Sequence, residues 1–190
     1  TYMDSDLTLD FIIIIVLIIA NGLFSMTELA IVNAKKRKLE ELAEAGNERA
    51  KKAFELAENP NDMFSTIQIG ITLVGILTGL YSGATFSGPL EEILTATIPS
   101  IEPYAASVSS FLIVAIITYL SLVIGELVPK RLALNSPEGI AVVVAKPIYW
   151  LSVALKPIVS FLGISTEFLL KILGVTVKEE APVTESEINK

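Results

Sequence analysis

Residues 7–34 read LTLDFIIIIVLIIANGLFSMTELAIVNA, an apolar run interrupted by charge only at Asp10 and Glu28. At about 1.5 Å per residue, a helix of this length exceeds the roughly 30 Å hydrocarbon core of a bilayer and can cross it with tilt or overhang. A secretory signal would carry positive charge in front and a small-residue cleavage site behind. The front flank here holds Asp4 and Asp6, so the run reads as a span. Residues 63–90 contain no charge, and neither do residues 104–125, which stop abruptly at Glu126, Pro129, Lys130 and Arg131. With 52% hydrophobic residues and a mean hydropathy of +0.64, the chain has a membrane composition. The expected fold is an all-α integral membrane domain over residues 1–174. Its three transmembrane helices are placed at about 7–34, 63–87 and 104–125.

The charges are distributed in blocks. Lys35, Lys36, Arg37, Lys38, Arg49, Lys51 and Lys52 lie between the first and second runs. Lys130, Arg131, Lys146, Lys156, Lys171, Lys178 and Lys190 follow the third. None is left for the N-terminal tail or for residues 87–103, which hold Asp4, Asp6, Asp10, Glu91, Glu92 and Glu102. The positive-inside rule therefore puts the N-terminus outside and the C-terminus in the cytoplasm of a multi-pass protein of the cell membrane. The acidic outer side would gather cations, or it is simply a solvated rim. The net charge of -7 argues against a nucleic-acid partner.

Residues 35–58, KKRKLEELAEAGNERAKKAFELAE, are rich in good helix formers and predict a cytoplasmic helical hairpin broken near Gly46 and Asn47. Residues 139–173 are apolar enough to tempt a fourth span. Lys146-Pro147 and Lys156-Pro157, however, are expected to cut them into pieces of about ten residues, too short for a straight crossing. We expect juxtamembrane belt helices along the inner interface, with Tyr149 and Trp150 at headgroup level and the lysines snorkelling. The polar residues 175–190 predict a linker toward a further cytoplasmic domain.

With no cysteine and no histidine, thiolate and imidazole chemistry and the usual zinc ligand sets are excluded. What remains is oxygen, which suits hard cations such as Mg²⁺, Ca²⁺ or Na⁺. Polar side chains at membrane depth are the place to look for it. Asn21, Ser25 and Glu28 share one face of the first span at i, i+4 and i+7. In the second, Ser65, Gln68 and Thr72 share a face beside Gly75 and Gly79, a small-xxx-small pair that suits close helix packing. In the third, Pro129 has no amide to donate to the Gly125 carbonyl, leaving a free oxygen beside Glu126. That is a hard-cation site in outline. The alternative is a helix end where Glu126 pairs with Lys130 or Arg131, and spacing does not separate the two. An enzymatic role is not expected. The one carboxylate dyad, Glu28 with Glu126, lies close to basic clusters that would keep both ionised.

NGLFSMTELAIV, the charged hairpin, STIQIGITLVGI, GELVPKRLAL and the terminal VTESEI occur in an order and spacing that resemble the transmembrane domain of the CNNM/CorC family of magnesium transporters. The resemblance covers essentially the whole chain. It implies a homodimer in the lipid bilayer with three spans per subunit, a hairpin and a belt. It also implies a dehydrated Mg²⁺, as the transported ion, held between the spans. Carried across, the site takes Ser25, the Gly125 carbonyl and Glu126, and Asn21 falls where some relatives place a second hydroxyl. Relatives often read Gly-Asn-Asn-Leu-Val-Asn in the second span. The present Gly70-Ile71-Thr72-Leu73-Val74-Gly75 has no asparagine, leaving Thr72 or Ser65 as substitutes. ATP would act only through the nucleotide-binding domain that follows in full-length relatives. The expected function is export of Mg²⁺ from the cytoplasm, and the alternative is a non-transporting membrane anchor or cation sensor coupled to a cytoplasmic regulatory domain.

Overall fold

A computed structural model describes residues 2–174, and the expected linker at 175–190 lies outside them. The described residues are helical almost throughout. Helix α1 spans Tyr2–Asn33, α2 Lys36–Glu44, α3 Glu48–Glu58 and α4 Asn61–Thr97. A 3-10 segment, Pro99–Tyr104, leads into α5, Ala105–Leu122. A π turn, Val123–Leu127, joins α5 to α6, Val128–Asn135, and α7 occupies Pro137–Ile172.

Four helical stretches are long and apolar enough to cross a membrane: Leu7–Asn33, Asn61–Thr97, Pro99–Asn135 and Pro137–Ile172. Their large side chains point outward. Ile12, Val16, Leu73, Ile76, Leu80, Phe111 and Val114 are all more than half exposed, which suits lipid and not water. The apolar core sits at the basic end of the bundle. There Ile31 and Ala34 of α1 meet Leu39 of α2, Ala53, Leu56 and Ala57 of α3, Met63 and Ile67 of α4, and Ala141, Ala145 and Ile148 of α7.

The hairpin folds as its sequence dictates locally. Gly46 adopts φ 92°, a left-handed conformation that costs a glycine little. The Asn47 carboxamide then caps α3, accepting from the amides of Arg49 at 3.0 Å and Ala50 at 3.1 Å. Two polar contacts hold the pair to α7. Glu138 accepts from the Lys35 amide at 3.3 Å and from Lys38 Nζ at 3.4 Å, and Lys52 Nζ lies 3.9 Å from the centre of the Tyr149 ring. The Glu55 carboxylate, 2.6 Å from Lys52 Nζ, holds that ammonium above the usual lysine range.

One expectation is corrected. The Lys-Pro pairs do not cut residues 139–173, since α7 is one helix through Pro147 and Pro157. Each proline withdraws only its own amide donor, and where water is scarce the remaining backbone groups are satisfied only by staying helical. The helix that holds the second apolar run, α4, continues past residue 87 through Pro89 to Thr97.

The chain divides into two compact units, residues 1–153 and 154–190. In the first, α7 buries Ala141, Ala145, Ile148 and Ser152, one face at helical spacing. In the second, the described helix exposes Ile158, Phe161, Ile164, Phe168 and Ile172.

Candidate functional site

The site is built where α1 crosses the π turn. Pro129 cannot complete an ordinary α-helical turn onto Gly125, and the Val128 amide reaches back to the Val123 carbonyl, five residues away. The two backbones meet closely. A methyl group on Gly22 would stand 2.9 Å from Pro129 Cγ and 3.2 Å from the Ile124 carbonyl oxygen. One on Gly125 would stand 3.2 Å from the Ile18 carbonyl oxygen. A side chain at Gly22 would force Pro129 to shift, and one at Gly125 would press on the Ile18 carbonyl, so small residues suit this crossing.

The crossing brings Asn21 onto the π turn. Asn21 Nδ2 donates to the Gly125 carbonyl at 3.0 Å. The oxygen that loses its ordinary i+4 donor at Pro129 thus accepts from a side chain of another helix and keeps a second lone pair. Asn21 Oδ1 is buried and has no hydrogen-bond partner among the described residues. An orphaned buried acceptor of this kind costs about 1–3 kcal/mol unless something fills its lone pairs. Asn21 and Glu126 both line a cavity of about 220 Å³, together with Thr78, Thr118, Ser121 and the bare backbone at Gly75 and Gly79. Glu126 is half-buried, and its Oε1 accepts from Lys130 Nζ at 2.7 Å.

Of the residues singled out in the sequence, Asn21, Gly125 and Glu126 come together here. Ser25 does not line the cavity. It is 2% exposed and makes no hydrogen bond among the described residues. Ser65 and Thr72 are exposed on α4 and do not reach the cavity. Gln68 is likewise exposed, and Glu28 is half-buried with no ion pair among the described residues. The α4 contribution is Thr78 instead, whose Oγ1 donates to the Val74 carbonyl at 2.7 Å and keeps lone pairs to offer. Thr118 and Ser121 were not singled out in the sequence, and their signal was their polarity in the last turns of a charge-free run that ends at Glu126. Thr78 could have been found by its position between Gly75 and Gly79.

The glycine ridge of α4 behaves differently from expectation within one chain. Nothing approaches within 4 Å of a methyl group placed on Gly75, Gly79 or Gly83. Gly70 is the packing glycine of α4, because a methyl there would lie 2.6 Å from the Phe24 ring.

Two apolar cavities flank the site. One, of about 200 Å³, lies toward the acidic end among Phe11, Ile14, Phe86, Ile113, Ile117 and Leu120. Beyond it Tyr81 donates a short hydrogen bond to Asp10, joining α4 to α1. The other, of about 400 Å³, is lined by Leu23, Phe24, Thr27, Val144, Pro147 and Leu151 between α1 and α7. Among the described residues no group of three or more Asp or Glu side chains converges. Any cation held here would depend on amide, hydroxyl and carbonyl oxygens around a single carboxylate.

Comparison with known proteins agrees with this architecture. The Cyclin M transmembrane N-terminal domain matches residues 12–190. A UPF0053 protein of Synechocystis sp. is 50% identical over 97% of this chain and 41% of its own length. The YugS protein of Bacillus subtilis is 34% identical over 95% of the chain and 42% of its own length. The polyamine export protein of Escherichia coli K12 is 28% identical over 93% and 39%. The chain thus spans about two fifths of the length of the curated relatives it matches. With apolar helices that suit a multi-pass membrane protein and a domain match across almost its whole length, the chain belongs to the CNNM/CorC family of membrane transport domains.

Proposed function

We propose that the chain is the membrane part of a Mg²⁺ exporter, with the ion held between α1, α4 and the α5–α6 rod. The observation that carries the reading is the orphaned Asn21 Oδ1, set beside the Glu126 carboxylate on the rim of a small polar cavity among apolar helices. Mg²⁺ takes six oxygens at about 2.0–2.1 Å and gives up its water reluctantly. Asn21, Glu126, Thr78, Thr118 and Ser121 supply oxygens of the right hardness, and retained water would complete the shell. Ser25, Ser65 and Thr72 would contribute only after helix movement. The site stands near the basic end, which the charge bias assigns to the cytoplasm, with the N-terminus outside. Three crossings, α1, α4 and the α5–α6 rod, satisfy that bias, and α7 then lies along the inner interface. A C2 homodimer would cover the open glycine ridge of α4.

A second reading has a specific observation behind it. The E. coli relative is named for polyamine export, so an organic polycation is the competing cargo. Flux assays in proteoliposomes, run with Mg²⁺ and with a linear polyamine, separate the two. Mg²⁺ movement that is reduced at least tenfold in Glu126→Gln is the expected result. Polyamine movement without Mg²⁺ movement would replace the proposal with the second reading, and binding of Mg²⁺ without flux under any gradient would make the domain a sensor.

A further inference from the structure

Glu126 is the one formally charged residue lining the polar cavity, and it is already occupied. Lys130 Nζ stands 2.7 Å from Glu126 Oε1, one turn along the same rod, with both side chains roughly a third to two fifths exposed. Resting on the Mg²⁺ reading above, we infer that Lys130 is a tethered counter-ion that holds the place of the transported cation on Glu126 and favours divalent over monovalent ions.

The inference follows from charge balance. A carboxylate at the edge of hydrocarbon is costly without a partner, and Lys130 supplies one when the cavity is empty. A cation that ligates Glu126 competes for the same oxygen and repels the ammonium. Lys130 must then leave. A monovalent ion gains little by this exchange, since it replaces one positive charge with another and loses its own hydration. A divalent ion brings twice the charge to the same carboxylate and to the Asn21 acceptor, which the ammonium leaves unfilled. The same pair eases release, because Lys130 returns to Glu126 as the ion departs and the bare carboxylate is never exposed. Lys130 is therefore a selectivity residue and not a ligand.

The test is Mg²⁺ binding to the purified chain by titration calorimetry, with Na⁺ as competitor. Lys130→Gln should bind Mg²⁺ roughly fivefold more tightly or better, the scale of one lost ion-pair competitor, and Na⁺ should begin to compete. Lys130→Arg should behave as the unaltered protein. Weaker or unchanged Mg²⁺ binding by a folded Lys130→Gln would overturn the inference, because a merely structural ion pair gives that result. A second measurement needs no variant. Amine acetylation of Lys130, read by mass spectrometry, should rise severalfold when saturating Mg²⁺ displaces the side chain, and no rise would equally overturn the proposal. Failure of the unaltered protein to bind Mg²⁺ at all would overturn the functional reading itself, and this inference with it.

Discussion

Gly22 and Gly125 show how much of this site depends on what is missing from a side chain. Neither adopts a positive φ, so conformational freedom is not the reason for glycine. Room is the reason, since a methyl on Gly22 would press on the Pro129 ring and on the Ile124 backbone carbonyl, neither of which is the free end of a flexible side chain. Overpacking of this kind costs typically about 1–3 kcal/mol. Gly22→Ala should therefore lower the melting temperature in detergent and displace Asn21 from the Gly125 carbonyl. Gly75→Ala, with open space around it in one chain, should leave the melting temperature of monomeric protein unchanged. Equal losses from the two substitutions would show that the α1 crossing is not the tight contact. The pair of measurements also separates glycines that pack within a chain from those free to meet a partner.

At the scale of elements, α7 is the decisive case. Its 36 residues would extend about 54 Å at 1.5 Å per residue, well beyond one bilayer core, so length does not select between crossing the membrane and lying along it. Lys146 and Lys156 are exposed, and Glu138 fixes the start of the helix to Lys35 and Lys38. If α7 stays on the inner side, a cysteine replacing Lys171 should react with a membrane-impermeant maleimide only after the cells are permeabilised. Labelling of intact cells would make α7 a fourth span and put the C-terminus outside. The π turn teaches a related lesson. A proline in the sequence marks a missing donor, but the chain answered it at Pro129 with a changed helical register and at Pro147 and Pro157 with an unbroken helix. The Gly125 carbonyl, which loses its ordinary i+4 donor at Pro129, accepts from Asn21 of another helix.

For the whole molecule, the polar cavity has an incomplete wall. Gly75 and Gly79 line it, yet nothing among the described residues comes within 4 Å of a methyl group placed on either. Lipid would make a poor wall for a cation, because hydrocarbon offers Glu126 neither hydrogen bonds nor solvation. A second copy related by a two-fold axis along the membrane normal would close it and keep both basic ends on one side. Single cysteines at Gly75 or Gly79 should then give oxidative dimers in membranes. A control cysteine replacing Phe111, which is 71% exposed on α5, should not. Uniform monomers that still bind Mg²⁺ would rule the dimer out.

The sequence alone determined that this is an all-helical membrane domain with its charges set in blocks between apolar runs, because hydrocarbon thickness and hydration of charge act on composition and run length without reference to neighbours. It also carried the hairpin, whose Gly46 turn and Asn47 cap are local chemistry, and it singled out Asn21, Gly125 and Glu126 as polar groups too costly to be idle. The tertiary structure decided which polar groups meet. Ser65 and Thr72 have the same chemistry as Thr78, and only the rotation of α4 against α1 and α5 turns Thr78 to the cavity and the other two away. Two further contacts were closed to the sequence: the Asn21 amide on the Gly125 carbonyl, and Lys130, not Arg131, on Glu126. Each depends on a distance of a few ångströms between groups separated by a turn or by a hundred residues, and spacing along a chain does not encode such distances.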